Sequence, residues 1–188
     1  MFLRSCVLRA LSTGFCVTVA FQALAEVPEF ILRPPLTYLS HGIDCTLPDG
    51  EIVSGQDTVD GEVIVNTSPG TPILIETLTA PTQVGLSLMI AFSVQPDTPP
   101  TTLTASVTHP PMGPQRTTRQ TWSLNVVGGD KKAFGYGLED KFEEVPGLWT
   151  FRLADGDRVL LQQTFTMVTP DKAQHVMDTC FPDTLPRS

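Results

Sequence analysis

The stretch LWTFRLADGDRVLLQQTFTMV, residues 148–168, decides the fold class of this chain. Its first half alternates Trp149, Phe151 and Leu153 with threonine, arginine and alanine, and its second half alternates in a similar way. An apolar residue at every second position is typical of a β-strand with one buried face. Gly156 lies between the two halves, and glycine readily adopts the left-handed conformation that short hairpin loops need. The stretch therefore predicts a β-hairpin that buries one apolar face.

The register of this hairpin depends on its loop. We expect a three-residue loop at 154–156, which places Trp149 opposite Leu161 and Phe151 opposite Val159. Both apolar sets then share one face, whereas a slip of one residue would turn one set toward solvent.

The rest of the chain is also rich in short strands. Seventeen prolines and fourteen glycines divide it into short apolar runs. Further strands are predicted at 51–54, 62–66, 72–79, 84–95, 101–109 and 118–127. Run 84–94 is almost continuously apolar, which is typical of a central strand covered on both sides. Residues 171–177 are expected to form one short helical turn. The pattern predicts an all-β sandwich or barrel.

Two proline-rich stretches, 96–100 and 109–114, are expected to be exposed loops because proline cannot donate to a sheet ladder. Simple strand connection is one interpretation of both. The other is a stiff binding loop, since a polyproline-like backbone is already ordered before it binds. For that role the candidate residues are His109, Pro110, Pro111 and Met112.

The N-terminus has the three-part pattern of a secretory signal peptide. Arg4 and Arg9 precede an apolar stretch, 10–24, which ends in the small-x-small sequence Ala-Leu-Ala at 23–25. Cleavage is expected after residue 25. A retained membrane anchor is the alternative, but a spanning helix needs about 20 predominantly apolar residues, and this stretch is shorter and interrupted.

Cleavage would leave 188 − 25 = 163 residues, enough for one domain with its own core. We divide the chain into a signal peptide (1–25), an N-terminal extension (26–40), a sandwich domain (41–170) and a C-terminal segment (171–188).

Charge argues against two classes of partner. The whole chain has 12 basic and 20 acidic residues, a net charge of −8. Without Arg4 and Arg9 the balance is 10 to 20, or −10. Such a surface repels nucleic acid and anionic lipids. We therefore expect no nucleic-acid partner. No second hydrophobic segment is long enough to cross a bilayer, so we also expect no stable membrane insertion after signal cleavage.

The cysteines indicate an oxidising compartment. Cys6 and Cys16 lie in the predicted signal peptide, which leaves Cys45 and Cys180 near opposite ends of the mature chain. An isolated pair in an exported protein is typically a disulfide, and this one would tie the C-terminal segment back to the sandwich. The alternative is two free thiols, one of them nucleophilic, with His41 nearby in sequence. We expect the disulfide, and a periplasmic or secreted location.

Metal-binding patterns are missing from the sequence. The histidines, His41, His109 and His175, are more than sixty residues apart, and no Cys-x-x-Cys or His-Glu-x-x-His spacing occurs. Stretches 57–62 and 155–157 contain aspartate and glycine but lack an EF-hand spacing, and are interpreted as turns. No metal or cofactor residue is assigned.

Catalytic patterns are missing too. No Gly-x-Ser-x-Gly sequence and no glycine-rich phosphate loop occur. The acidic cluster at 139–144 contains paired carboxylates that a glycosidase could use, but it is interpreted as a solvated loop. Trp122 and Trp149 are assigned to the core by alternation. No catalytic residue is assigned, and enzymatic activity is left open, with a non-enzymatic role favoured.

Several pieces in order resemble an uncharacterised bacterial family of small, exported domains of unknown function. They are GI at 42–43, TAP at 79–81, VGL at 84–86, VTHPP at 107–111, FEEVPGLWTF at 142–151 and QTFTMV at 163–168. The resemblance implies an immunoglobulin-like antiparallel β-sandwich of about 7–9 strands. Since that family has no known activity, it implies no active site.

These observations favour an exported cell-envelope protein that is a non-enzymatic binding or structural module. Its partner would be an unknown envelope protein or a small ligand, bound by the end loop at 109–112 or by strand addition along an uncovered sheet edge. Two alternatives remain. One is a hydrolase or metal-dependent enzyme with a site assembled from separated loops, and the other is a small-ligand carrier with a pocket between the sheets.

Overall fold

Strands form most of the described part of the chain. The computed structural model describes residues 28–47, 50–55, 57–59, 61–65 and 75–182, so the predicted signal peptide at 1–25 lies outside the described residues. The strands are β1 (Ile31–Leu32), β2 (Leu36–Asp44), β3 (Glu51–Ser54), β4 (Glu62–Val65), β5 (Thr79–Pro81), β6 (Ser87–Val94), β7 (Thr101–Met112), β8 (Thr117–Val126), β9 (Lys131–Gly137), β10 (Gly147–Asp155) and β11 (Arg158–Val168). The helical elements are 3₁₀ turns at Lys141–Glu143 and Pro170–Lys172 and helix α1 (Gln174–Cys180).

Two sheets form a sandwich. The larger has the order β1-β11-β10-β7-β8, and β5 also pairs with β11; the smaller has the order β2-β6-β9. All pairings are antiparallel except the parallel pairing of β5 with β11. Strands β3 and β4 form a separate two-stranded ribbon.

The seven long strands have an immunoglobulin-like topology. Lettered A to G in chain order, they are β2, β6, β7, β8, β9, β10 and β11. The small sheet is then A-B-E and the large sheet contains D-C-F-G. An immunoglobulin constant domain has A-B-E-D facing C-F-G. Here the fourth strand, β8, lies beside the third instead of beside the fifth. The predicted immunoglobulin-like all-β sandwich is confirmed.

The core lies between the two sheets and is rich in aromatic rings. Phe134 of β9 contacts Phe92 of β6, with ring centroids 6.1 Å apart, and Phe151 of β10, at 6.2 Å. Phe151 in turn contacts Phe165 of β11 at 5.6 Å. Edge-to-face contacts of this kind add stability beyond the area that they bury. Trp149 is also fully buried, so its assignment to the core is confirmed.

The predicted hairpin exists, but its predicted register is wrong. Asp155 pairs with Arg158, so the loop has two residues, and a bulge follows Leu153. Trp149 pairs with Phe165 and not with Leu161. The observed register differs from the expected one by four residues. A shift by an even number leaves the same faces buried, which is why alternation alone could not detect it.

The structure contains three strands, β1, β2 and β9, where the sequence predicted none. Strand β1 and part of β2 lie in the stretch interpreted as an N-terminal extension, and the predicted domain boundary at residue 41 falls inside β2. Strand β9 was also missed. The strand expected at 72–79 is described only from Ile75, which forms a single bridge with Ile43, and pairing as a strand begins at Thr79.

The C-terminal segment adds a short helical element, as predicted. A 3₁₀ turn at Pro170–Lys172 leads into α1, whose Val176 and Met177 are buried. In the part of the chain that the structure describes, no helix has the length and apolar character needed to cross a membrane.

Candidate functional site

A network of hydrogen-bonded polar side chains is buried at one end of the sandwich. It joins His109 of β7, Gln120 of β8, Tyr136 of β9 and Glu143 of the 3₁₀ turn. His109, Gln120 and Glu143 are only 4%, 2% and 1% exposed. Buried polar groups destabilise a fold unless they are hydrogen-bonded. The bonding of each member therefore decides what this cluster can do.

His109 is held as a neutral ring. Its Nδ1 lies 2.8 Å from the carbonyl oxygen of Pro110, which only accepts, so Nδ1 carries the proton and donates. Nε2 then accepts from Nε2 of Gln120 at 3.1 Å. The ring also lies against Trp149, with centroids 4.9 Å apart. Burial lowers the pKa of His109, and the bond to Pro110 opposes this in part.

Both the oxygen and the nitrogen of the Gln120 side-chain amide are hydrogen-bonded. Its Oε1 accepts from the backbone N–H of Val59 at 2.9 Å, and Nε2 donates to His109 and to the Tyr136 hydroxyl, 3.2 Å away. Since β8 belongs to the large sheet and β9 to the small one, the contact with Tyr136 ties the two sheets together.

Glu143 is the last member of this network, and both of its carboxylate oxygens accept hydrogen bonds. Its Oε1 accepts from the Tyr136 hydroxyl. Its Oε2 accepts from the backbone N–H groups of Glu139, at 2.6 Å, and Asp140, at 2.9 Å. Three donors compensate for the burial of this carboxylate. The interpretation of 139–144 as a solvated loop is therefore wrong for Glu143.

Hydrogen-bond donors and acceptors are matched throughout this network. Each named donor meets an acceptor, and among the described residues no buried side-chain nitrogen or oxygen lacks a hydrogen-bond partner. Fully bonded networks of this kind make a core rigid and specific. These side chains therefore brace β7, β8 and β9 against one another.

The predicted binding loop is not a loop. His109, Pro110, Pro111 and Met112 all lie in β7. His109 and Met112 are buried, whereas Pro111 is exposed. The pairing of β7 with β8 is interrupted between Thr108 and Met112, so the prolines remove no ladder bond there. The actual turn follows at 113–116.

The predicted disulfide between Cys45 and Cys180 is confirmed. The two Cα atoms are 4.9 Å apart, and the residues are 135 positions apart in sequence. The bond joins the chain just after β2 to the last residue of α1. The alternative of free thiols, with His41 activating Cys45, is wrong.

His41 belongs to a second, half-buried cluster. Its Nδ1 and the Tyr38 hydroxyl are hydrogen-bonded. Burial lowers the pKa of His41, and the negative charge of Glu76 opposes that change. Burial and then Glu76 raise the pKa of Tyr38. His175 lies on the exposed side of α1, so the structure does not bring the three histidines together.

The described residues contain no group of three or more histidine, cysteine, aspartate or glutamate side chains that could hold a metal ion. Sequence reasoning missed Gln120 and Tyr136, and it did not connect Glu143 with them, because the three residues come from separate elements and have no characteristic spacing. One signal was present. Gln120 continues the inward-facing series of Trp122, Leu124 and Val126, and a polar residue on a buried face needs a buried partner.

Comparison with known proteins gives a family and two structural similarities. A family model described as "Domain of unknown function (DUF3859)" matches residues 63–167, more than half of the chain. No curated protein matches.

Among solved structures, an immunoglobulin-like protein from Pseudomonas aeruginosa is 17% identical, with a TM-score of 0.44 over 75% of this chain and 98% of that one. A beta-D-glucoside glucohydrolase from Trichoderma reesei is 11% identical, with a TM-score of 0.32 over 71% of this chain and 19% of that one. The family match covers the core strands β6 to β10 and most of β11, so this chain belongs to the DUF3859 family of domains of unknown function.

Proposed function

We propose that this protein is an exported cell-envelope domain that acts as a non-enzymatic binding or structural module. The observation that carries the proposal is the buried network. The histidine, tyrosine and carboxylate best suited to catalysis there, His109, Tyr136 and Glu143, are each bonded inside the protein. The groups that remain available to other molecules lie on the surface of a braced sandwich, which favours binding over turnover.

Export is supported by the signal-peptide pattern at 1–25 and by the disulfide. Disulfides persist in the bacterial periplasm and outside the cell and are rare in the cytosol. The proposed location is therefore periplasmic or secreted, and the proposed partner is an envelope protein or a small ligand. The acidic surface disfavours nucleic acid.

Expression of the full chain in a bacterial host tests export. We expect the protein in the periplasmic or secreted fraction, with a mass that corresponds to a chain starting at Glu26. Changing Ala23 and Ala25 to aspartate should block processing, since signal peptidase requires small residues there. An unprocessed wild-type chain that remains in the cytoplasm with reduced cysteines would contradict the proposal.

Cross-linking in the source cell at native expression, followed by mass spectrometry, tests the binding role. We expect one recurrent envelope protein. A panel of hydrolase substrates, assayed with and without added divalent metal, provides the opposite test. Turnover that disappears when His41 or His109 is replaced by alanine, in a variant that still folds, would show an enzyme instead.

A further inference from the structure

The outer edges of the two sandwich sheets are covered unequally. Strands β1 and β5 pair with the outer side of β11. Ile75 bridges to Ile43 on the outer side of β2, and Asp57 bridges to Thr121 on the outer side of β8. Within the described residues, β9 pairs with β6 alone, and no backbone hydrogen bond reaches its outer side. Among the described residues, β9 is therefore the sandwich edge that no other strand covers, and we call it the open edge.

The backbone of β9 presents a regular series of donors and acceptors on this edge. At one end of its ladder with β6, the N–H of Val94 donates to the carbonyl of Asp130; at the other, the N–H of Leu138 donates to the carbonyl of Leu86. Hydrogen-bonded pairs alternate along an antiparallel ladder. The even-numbered residues of β9 therefore bond to β6, and the odd-numbered residues, 131 to 137, direct their N–H and C=O groups outward.

The large sheet extends over the place where another strand would lie. Strand β8 is on the far side of β7, and its inward-facing Gln120 bonds to Tyr136 of β9. A short connection, 127–130, joins the other ends of β8 and β9. Between these two points Trp122 and Leu124 face inward and are only partly buried. A strand added to β9 would cover both side chains. Its position is that of the fourth strand in an immunoglobulin constant domain.

Charge indicates what would occupy this position. Strand β9 begins with Lys131 and Lys132, in a chain with a net charge of −8. Lys132 lies 3.7 Å from Asp130, whereas Lys131 is exposed on the open edge. Another copy of this acidic chain would be repelled over most of its surface. An extended segment with acidic residues beside Lys131 would be attracted.

We propose that β9 binds an extended segment of a partner protein as an added antiparallel strand. The segment would have alternating apolar residues, which pack on Trp122 and Leu124, and acidic residues at its C-terminal end, which antiparallel pairing places beside Lys131. This inference rests on the proposed function as a binding module, and it names the surface and the chemistry of the partner.

A synthetic peptide tests the proposal on the purified mature chain. The probe is a short peptide of alternating threonine and valine that ends in two aspartates; the matched peptide ends in two lysines. We expect the acidic peptide to bind saturably and to slow amide hydrogen exchange at Ala133, Gly135 and Gly137, which exchange freely without it. The lysine peptide should bind about fivefold more weakly, the effect of roughly 1 kcal/mol from exposed charges.

Two sets of controls separate strand addition from nonspecific attraction. N-methylation of alternate peptide amides should abolish binding in one register, where the amides face β9, and leave it in the other. Lys131→Glu should reverse the preference between the two peptides. Lys172→Glu, at an exposed lysine of the 3₁₀ turn before α1, should leave it unchanged.

Ala133→Pro is the blocking variant, because it removes an outward amide that β6 does not use. Position 135 is unsuitable, since a Cβ on Gly135 would lie 1.9 Å from the carbonyl oxygen of Leu88. Loss of peptide binding in a folded Ala133→Pro protein is expected. If that protein does not fold, the N-methylated peptides decide the question.

Several outcomes would overturn the inference. One is slow exchange of the outward β9 amides in the free monomer, which would show that the chain covers its own edge. Another is a dimer of the wild type that Ala133→Pro dissociates, which would make a second copy the occupant. The third is equal binding by the two peptides. The fourth is no binding by either, which would indicate that the lysines only protect the edge from aggregation. An envelope partner cross-linked elsewhere would refute this surface and leave the proposed function standing.

Discussion

At the scale of single residues, His109 links the buried network to the stability of the fold. Its ring is neutral and enclosed, and burial lowers its pKa below the ordinary value of 6.5. Between the two pKa values the unfolded chain binds a proton that the folded chain does not, so the free energy of unfolding falls as the pH falls through this range. We expect urea denaturation to show lower stability at about pH 5.5 than at about pH 7.5, above the range where exposed carboxylates titrate.

The comparison variant is His109→Gln, which removes the titrating ring and keeps an acceptor for Gln120. The pH dependence should become weaker. It should not vanish, because burial also lowers the pKa of His41 and that effect has the same sign. A wild type that becomes more stable on acidification through this range, or a pH dependence that His109→Gln leaves unchanged, would show that His109 is not held neutral.

Glu143 provides a second test at this scale. Replacing it with glutamine turns one acceptor into a donor that faces the Tyr136 hydroxyl or the N–H groups of Glu139 and Asp140. We expect Glu143→Gln to lower the free energy of unfolding by about 1–3 kcal/mol. Glu62→Gln, at an exposed position of strand β4, should change it by less than about 0.5 kcal/mol. Equal effects in chemical denaturation would mean that the network contributes nothing specific.

At the scale of elements, the start of β10 is packed tightly against β7. Gly147 has a φ of +139°, and a Cβ added there would lie 2.6 Å from Cγ of Pro110. Gly129 has a φ of +87°, but a Cβ there would meet nothing within 4 Å. Both Gly→Ala variants introduce backbone strain of about 1–2 kcal/mol. Only Gly147→Ala adds overpacking, worth about 1–3 kcal/mol more.

Thermal or chemical denaturation of the two variants isolates this contact. Gly147→Ala should be the less stable by the overpacking contribution, and a Gly147→Ala/Pro110→Ala double variant should recover part of the loss. If both single variants lose the same stability, the close contact of β10 with Pro110 does not affect the free energy of unfolding.

Elements also show which features the sequence could predict. Strand β3 was predicted at its observed bounds because its apolar run ends at clear turn residues. Strand β2 was missed because a bulge between Tyr38 and Ser40 changes its phase, so that no single alternation covers it. Strand β9 was missed because KKAFGYG combines lysines and glycines, which are depleted in strands. The open edge thus lies on β9, a strand in which most residues have low β-propensity.

The buried site was harder to predict than the fold. Gln120, Tyr136 and Glu143 meet only because β8 faces β9 across the two sheets and the 3₁₀ turn places Glu143 beside Tyr136. Prolines at 110 and 111 suggested a loop, since the interruption of the β7–β8 ladder that accommodates them cannot be seen in sequence. The disulfide, in contrast, was predictable because a lone cysteine pair that follows a signal-peptide pattern has few other roles.

At the scale of the whole molecule, one disulfide joins the segment after β2 to the C-terminal helix α1. Cys45 follows β2, an edge strand of the small sheet, and Cys180 ends α1, which packs through Val176 and Met177. The bond closes a loop of 135 positions that contains strands β3 to β11. Such a cross-link restricts the unfolded chain, and its removal from a small secreted domain typically costs about 2–5 kcal/mol. We therefore expect a Cys45→Ser/Cys180→Ser protein to unfold at lower urea concentration than the oxidised wild type.

The distribution of that loss identifies what the bond holds in place. The sandwich is braced by its aromatic core and by the polar network, whereas α1 is short and is held by two buried side chains and the disulfide. Amide hydrogen exchange of the double variant under native conditions should therefore speed up first in α1, with β10 and β11 still protected. Uniform loss of protection in all three elements would instead show that the disulfide supports the sandwich as one cooperative unit. Wild-type protein treated with reductant serves as the control, since it loses the same bond without a change of side chain.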